Sequence, residues 1–390
     1  MRTQVAIVGA GPAGLLLSQL LDRAGIASVV VERRSRAYVE GRIRAGVLED
    51  GTVATLRAAG VGERLEREAQ FHDGLTLSSG GRGFRVDLRG LSGRCVTVYG
   101  QAEVQKDLFA ARERAGGAVL DEAADVAIHD VDTDRPSVTL TRHGVADQID
   151  ADFVAGCDGA HGVSRTAFPR GAQRTFERLY PFGWLGILAR TPPVSHELIY
   201  CQHERGFALA SMRNPMLSRY YVQCALADGV DAWPDERVWA ELRARLPADA
   251  ADGLVTGPSI EKSITPLRSF VAEPLRHGRL FLAGDAGHVV PPTGAKGLNL
   301  AVSDVVYLSR ALVAHYDDRS DAALDAYSVT ALRRVWKAVR FSWWMTTLLH
   351  RFPADDGGFA QRVAEAELDL LATNEAARAA MAEQYVGLPL

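Results

Sequence analysis

Apolar positions along this chain fall into three kinds of run, and each predicts a different element. Residues 5–8 and 27–31 are short, continuous apolar runs, the pattern of strands buried on both faces. Between them, 15–21 is apolar and helix-forming, and Gly9-Ala-Gly11-Pro-Ala-Gly14 joins it to the first run. From 175 to 226, aromatic and β-branched residues are spaced as in an antiparallel sheet. From about residue 321 the pattern is helical to the end.

Shorter segments fill in the rest. A helix is expected near 52–65 and another over 102–115. Short strands are expected at 75–78, 83–88 and 95–99, and an alternating pair at 124–130 and 137–142. The runs 151–157 and 279–285 are again apolar strands, each closing on an Asp next to glycine: Asp158-Gly159 and Gly284-Asp285. An amphipathic helix is expected over 233–246, more strand over 257–270, and a helix starting near Gly297. Three units follow: 1–175, with small β insertions near 71–100; a β-rich insert, 176–275; and 276–390, which completes the first unit and adds a helical cap.

Composition narrows the classes. The chain has 390 residues and a net charge of -4, so a general nucleic-acid binder, which needs a basic surface, is excluded. Cys95, Cys157, Cys201 and Cys224 form no metal spacing and read as reduced thiols of a cytoplasmic protein. Glycines interrupt the N-terminal apolar stretch, so neither a cleaved leader nor a membrane span is expected there.

The chemistry starts at the glycines. Gly9 permits a tight turn, Gly11 lets a pyrophosphate approach the backbone, and Gly14 lets helix and strand pack closely. The helix N-terminus aims amides at the phosphates, and Glu32, at the end of the second strand, stands where a ribose would be held. This unit alone does not separate NAD, NADP and FAD. Asp158 and Asp285 at two further strand ends, with the helix starting at Gly297, suit the ribityl and pyrimidine parts of a flavin. Arg33, Arg34, Arg36, Arg42 and Arg44 make a local basic cluster beside the second strand. No Ser/His/Asp order, paired-carboxylate pattern or metal-ligand spacing competes, so no metal is expected.

These motifs resemble those of the single-component flavoprotein aromatic hydroxylases, and the resemblance covers essentially the whole chain. Its most specific segments include Gly41-Arg-Ile-Arg-Ala-Gly-Val-Leu-Glu49, Tyr180-Pro-Phe-Gly-Trp-Leu-Gly186, Ser218-Arg-Tyr-Tyr-Val-Gln223, Val290-Pro-Pro-Thr-Gly-Ala-Lys-Gly-Leu-Asn299 and Tyr385-Val-Gly-Leu-Pro389. The fold implied is α/β with α+β elements: a Rossmann-like FAD-binding domain, an inserted antiparallel substrate sheet and a helical C-terminal region. The activity implied is hydroxylation of 4-hydroxybenzoate to 3,4-dihydroxybenzoate by O2 and NADPH (NADH possible), through a flavin hydroperoxide.

The resemblance also assigns residues. For FAD it implies Gly9, Gly11, Gly14, Glu32, Arg42, Arg44 at the pyrophosphate, Gln101 near the ribityl chain, Asp158, Asp285, Arg219 beside the isoalloxazine, and Leu298 and Asn299 at the pyrimidine edge. For substrate it implies a carboxylate clamp of Ser211, Arg213 and Tyr221. Pro292 and Thr293 would pack on the ring, with Trp184 as a pocket wall. Tyr200 and Tyr385 would hydrogen-bond the phenol, and His72 would close a proton network at its solvent end. Arg33, Arg34, Tyr38, Arg42, His161 and Arg268 are implied for NADPH. A guanidinium fork suits a carboxylate independently of any family, although an arginine on a strand is, by itself, most often exposed. A cytoplasmic homodimer is implied, with an aromatic acid and O2 as small-molecule partners and no nucleic acid or membrane. A flavin hydroxylase for another substituted benzoate, such as an aminobenzoate, and a flavin-binding redox sensor are the alternatives. Two potential hydrogen-bond donors for the phenol, Tyr200 and Tyr385, favour the phenolic acid.

Overall fold

In the computed structural model, which describes residues 1–41, 46–353 and 357–390, two sheets divide the work. The smaller has six strands in the order Arg276–His277, Leu280–Leu282, Phe153–Gly156, Val5–Val8, Ser28–Val31 and Val119–Leu120. Val5–Val8 lies at its centre, parallel to both neighbours, and all its residues are buried. That double burial is why the run is continuously apolar rather than alternating. The helix Pro12–Arg23 packs against Gly297–Asp318 and Gln101–Arg114. Gly297–Asp318 is the one helix, among the described residues, long and apolar enough to cross a membrane; here it is mostly buried within the fold.

The larger sheet has eight strands, in the order His288–Val289, Ser259–Glu273, Arg174–Ala189, Leu217–Cys224, Ala208–Asn214, Leu198–Gln202, Gly74–Ser79 and Arg82–Asp87. The β insertions expected near 71–100 thus include an edge of this sheet: Gly74–Ser79 pairs in parallel with Leu198–Gln202. The two faces are built differently. Leu185, Ile187, Ile199, Ala208, Ala210, Tyr220 and Val222 pack with Val238, Trp239 and Leu242 of the helix Asp235–Arg245. The alternate residues Trp184, Tyr200 and Leu209 face Phe341, Met345, Leu368 and Tyr385 of the C-terminal helices.

Some elements differ from expectation. The helix expected over 52–65 is two, Asp50–Ala58 and Glu63–Glu68, because Gly60 at φ +75 ends the first. A strand not expected, Val145–Asp150, completes a three-stranded sheet with Ala124–His129 and Ser137–Arg142. It is mostly exposed and polar, so it carries no alternation to read.

Behind Trp184 lies a buried histidine. The Trp184 indole N–H donates to His350 Nε2 at 2.6 Å, and His350 Nδ1 lies 2.9 Å from the Thr346 carbonyl. An indole N–H can only donate and a carbonyl can only accept, so this imidazole is neutral with its proton on Nδ1. Its ring stacks on Phe182 at 4.7 Å and Phe207 at 4.3 Å. Burial pushes its pKa down to about 3.

Between pH 6.5 and pH 3 the unfolded chain therefore binds a proton at this position that the folded chain refuses. Stability should fall as the pH falls through that window, by up to about 1.4 kcal/mol per pH unit from this group. Urea midpoints measured from pH 7 to pH 4 should decline more steeply for the natural protein than for His350→Gln. Equal slopes would mean that His350 protonates in place.

Candidate active site

The nucleotide end is assembled by backbone first. Gly9 sits at φ +107, and a Cβ on Gly14 would lie 1.9 Å from the Gly9 carbonyl oxygen. Any side chain there would push the helix Pro12–Arg23 off the turn. That helix has no acidic residue in its first turn, so its free amides remain available to an anion. Glu32 reaches back across the sheet: Oε2 accepts from the Ala10 N–H at 2.8 Å and Oε1 from the Arg34 N–H at 2.9 Å. A carboxylate accepts about four hydrogen bonds, so it keeps capacity for two ribose hydroxyls.

Asp158 is held by one oxygen only. Its Oδ2 accepts from the Ser164 N–H at 2.8 Å, while Oδ1 is buried and has no partner among the described groups. Burial raises its pKa, and the Ser164 amide opposes the rise. A buried, unpaired carboxylate oxygen is costly unless a donor arrives, and a polyol hydroxyl is such a donor. Asp285 is half-buried at the end of Leu280–Leu282, and Gln101 is half-buried at the start of Gln101–Arg114. The glycine turn, Glu32 and the orphaned oxygen of Asp158 fit FAD.

Residues with no assigned role brace these loops. Arg165 donates to the Ala160 carbonyl at 2.7 Å and the Ala286 carbonyl at 2.9 Å, tying the two Asp loops together. Asp304, fully buried, accepts from the Gly284 N–H at 2.8 Å and lies 2.6 Å from His288 Nε2. Burial alone would lower the His288 pKa; the Asp304 charge outweighs it and raises it. The sequence signal for Asp304 is an acid set within the apolar stretch 300–308 of its helix, a pattern that demands a partner.

The other residues expected at the cofactor are placed less simply. Asn299 is 2% exposed, and its amide is spent within the protein. Its Oδ1 accepts from the Glu49 N–H and the Thr52 hydroxyl; its Nδ2 donates to the Val47 and Ala295 carbonyls. Only its backbone is left to face a flavin, as with the half-buried Leu298 beside it. Arg42 and Arg44 lie outside the described residues.

The substrate end is one row of the large sheet. Leu77, Tyr200, Leu209, Tyr221, Gly186 and Ser263 are successive cross-strand partners, so all face the same side. Ser211 is paired with Arg219 beside them. A Cβ on Gly186 would come within 2.9 Å of both Arg219 Nη2 and Tyr221 Cε1, so the missing side chain makes room for these groups. Arg219 is bound through Nη1 to Glu261 at 2.9 Å and lies 5.0 Å from the Tyr221 ring centroid, while its buried Nε has no partner among the described groups. Arg213 donates to its neighbour's carbonyl, Met212 O, at 2.9 Å, and its buried Nε has no partner among the described groups. Two guanidiniums therefore face one carboxylate, which leaves one positive charge. Burial would raise the Tyr221 phenol pKa; the charges of Arg213 and Arg219 reverse this and lower it. Ser211 gives its hydrogen to the Arg219 carbonyl at 2.8 Å, so it can serve a ligand carboxylate only by turning.

At the far end of the row, the Tyr200 and Tyr385 hydroxyls are 2.7 Å apart. Burial pushes the Tyr200 phenol up to about 12 and Tyr385 well above its ordinary value, so both are protonated donors at neutral pH. Pro292 is exposed on the loop beside them, and Thr293 is buried with its hydroxyl 3.0 Å from that of Thr346. His72 does not stand at a solvent-facing end. It is 1% exposed, neither ring nitrogen has a partner among the described groups, and burial lowers its pKa. Pairing of Gln70–His72 with Val96–Val98 turns Phe71 outward and His72 in.

The residues expected at the nicotinamide cofactor lie on several elements. Arg33 and Arg34 are exposed, with Arg34 over the Tyr38 ring at 5.1 Å. Arg36 is not a free member of the basic cluster, being paired with Glu40 at 2.7 Å and Glu113 at 3.2 Å. His161 is exposed, and Arg268 lies 3.4 Å from Glu177. Among the described residues, no group of His, Cys, Asp and Glu is arranged to hold a metal.

Comparison with known proteins adds relatives. Residues 2–342 match the family model described as FAD binding domain. The p-hydroxybenzoate hydroxylase of Acinetobacter baylyi (strain ATCC 33305 / BD413 / ADP1) is 55% identical over 390 residues, all of this chain and 96% of that protein. The 3-(3-hydroxy-phenyl)propionate/3-hydroxycinnamic acid hydroxylase of Mycobacterium sp. (strain JLS) is 26% identical over 84% of this chain and 57% of its own length. Among solved structures, p-nitrophenol 4-monooxygenase PnpA from Pseudomonas putida DLL-E4 shares the fold at a TM-score of 0.84 and 20% identity, with both chains fully covered.

Proposed function

The chain belongs to the single-component FAD-dependent aromatic hydroxylases, and from that premise we infer that it hydroxylates 4-hydroxybenzoate to 3,4-dihydroxybenzoate with O2 and a reduced nicotinamide cofactor. The observation that supports this substrate is a single sheet face that carries a cationic clamp of Arg213, Arg219 and Tyr221 in one part and a buried, hydrogen-bonded tyrosine pair in another. A ring with a carboxylate and a hydroxyl at opposite ends matches both. The decisive experiment is product analysis: 4-hydroxybenzoate should stimulate NAD(P)H oxidation and yield 3,4-dihydroxybenzoate. Stimulation without that product would overturn the reading.

Bound FAD supplies the electron transfer and the activation of oxygen. The protein's part is orientation and charge. Arg213, left with a buried, unpartnered Nε, takes the carboxylate, and the clamp's surplus positive charge becomes neutral. Removing it should leave FAD bound but weaken substrate binding by about 3–5 kcal/mol, roughly two to four orders of magnitude. Lys would rescue poorly because it lacks the fork. Titration of Arg213→Ala with 4-hydroxybenzoate, followed by the flavin spectrum, measures this; an unchanged affinity would rule it out.

The ring carbon beside the hydroxyl is nucleophilic only when the phenol gives up its proton. A phenol of pKa about 10 needs roughly 4 kcal/mol of preferential phenolate stabilisation to ionise three units lower. The substrate's own carboxylate opposes this; hydrogen bonds to the phenolate favour it. Tyr200 is the donor and Tyr385 its relay partner, a role supported by their 2.7 Å contact. Tyr200→Phe should bind FAD and substrate, reduce flavin, and hydroxylate poorly, releasing hydrogen peroxide. Normal ionisation of bound substrate in ultraviolet difference spectra, with full coupling, would remove Tyr200 from this role.

NADPH is the proposed reductant. Arg33 and Arg34 are exposed beside the second strand, where guanidiniums favour a 2′-phosphate. Catalytic efficiency should be higher with NADPH; a tenfold preference for NADH would sink this. The enzyme is proposed to be a cytoplasmic homodimer. An exposed stripe on Ala322–Leu349, Val329, Trp336 and Trp343, supports the dimer, and the four free cysteines support a reducing compartment.

A further inference from the structure

Behind the tyrosine pair, a buried cluster of charge grips the chain just where Tyr385 is mounted. Glu49 is its hub: Oε1 lies 2.6 Å from Lys296 Nζ and Oε2 lies 2.8 Å from Arg334 Nη2. Both Glu49 and Lys296 are under 5% exposed. The cations do more than neutralise it. Lys296 Nζ donates to the Gln384 carbonyl at 2.6 Å and the Tyr385 carbonyl at 3.0 Å. Arg94 donates to the Gly387 carbonyl at 2.6 Å. Arg334 Nη1 donates to the Leu388 carbonyl at 2.5 Å and the Pro389 carbonyl at 3.0 Å.

The helix Glu375–Val386 ends here. Its last carbonyls have no partners within the helix, and its dipole presents negative charge at this end, so cations are favoured. Gly387 sits at φ +104, and a Cβ on it would lie 2.3 Å from Glu49 Oε2. The segment after the helix is thus laid directly over the hub, with room for no side chain. Glu49 is in turn tied to the start of Gly297–Asp318, because its N–H donates to Asn299 Oδ1 at 2.9 Å.

We propose that Arg334 and Gly387, neither of which bonds to the Tyr385 side chain, are positioning residues that strap the C-terminal segment onto Glu49 and thereby hold the Tyr385 hydroxyl in contact with Tyr200. This rests on the reading of Tyr385 as the relay partner of Tyr200. A hydrogen bond of 2.7 Å weakens steeply with misalignment, so a small slide of the helix end opens the relay while the remaining fold stays in place. Lys296 bonds the Tyr385 backbone itself, and the strap supplies the restraint beyond it.

Two variants test this without altering charge: Gly387→Ala, which forces the segment off Glu49, and Arg334→Lys, which keeps the cation but loses the fork. Each is compared with Tyr385→Phe as FAD-loaded full-length protein. The readouts are the ionisation midpoint of bound 4-hydroxybenzoate and the product formed per NADPH consumed. Each variant should raise the midpoint by about one pH unit, a tenfold loss of phenolate, and lower coupling in parallel, with FAD content unchanged. Arg334→Lys combined with Tyr385→Phe should add little to Tyr385→Phe alone, because both act through one contact.

A lowered melting temperature with an unshifted midpoint in both variants would overturn the proposal, since the strap would then serve stability alone. So would Arg334→Lys matching the natural protein while Arg334→Met shifts the midpoint, because charge rather than position would be acting. If Tyr385→Phe itself changes neither readout, the relay reading fails and the strap falls with it. If Tyr385→Phe changes both and the strap variants change neither, the strap alone is wrong.

Discussion

The two-residue repeat of the large sheet is the constraint on which the rest of this molecule hangs. It sends Leu185, Ile187 and Val222 to a dry face under the helix Asp235–Arg245. It sends Tyr200, Ser211, Arg219 and Tyr221 to the other. A slip of one residue in any of these strands would exchange the faces, bury the clamp under that helix and expose the apolar set. The register is therefore enforced by hydrophobic burial on one side, and the polar side inherits its geometry from that enforcement.

Closing the polar face falls to the C-terminal helices. They bring Phe341, Met345 and Tyr385 over the row and exclude water from it. Exclusion makes the residual positive charge of Arg213 and Arg219 felt strongly, because the surrounding dielectric is low. It also keeps Tyr200 and Tyr385 protonated, as burial raises both phenols. One enclosure therefore holds a surplus positive charge at one place and two neutral phenols at another.

The nucleotide unit is joined to this enclosure by buried polar side chains rather than by apolar contact alone. Asp304 fixes the Gly284 turn, Arg165 links the two Asp loops, and Asn299 and Glu49 tie the start of Gly297–Asp318 to the first half of the chain. Most of these bonds join groups far apart in sequence, and losing one would leave a costly orphan inside the protein. Such seams fix relative position more sharply than packing does, since a hydrogen bond tolerates little displacement.

Local signals were enough for the first half of this picture. Gly9, Gly11, Gly14 and Glu32 act within one strand–turn–helix–strand unit, and their spacing carries the geometry. The apolar runs at 5–8, 151–157 and 279–285 announce a doubly buried sheet, and the aromatic and β-branched spacing over 175–226 announces the inserted one. The hydrogen-bonded Tyr200–Tyr385 pair was legible too, though through resemblance rather than spacing, because no period connects positions so far apart. What tertiary structure alone decided is which polar side chains remain free. Asn299 has its side chain spent on four partners; Arg36, counted in the basic cluster, is paired; Arg219 shares its charge with Glu261; Ser211 has turned to a carbonyl. His72 looked like a surface residue and is buried, while the apolar Phe71 beside it is exposed. Sequence fixes what a side chain can donate or accept. Which partner claims it depends on groups dozens to hundreds of residues away, and only the folded chain brings those within hydrogen-bonding distance.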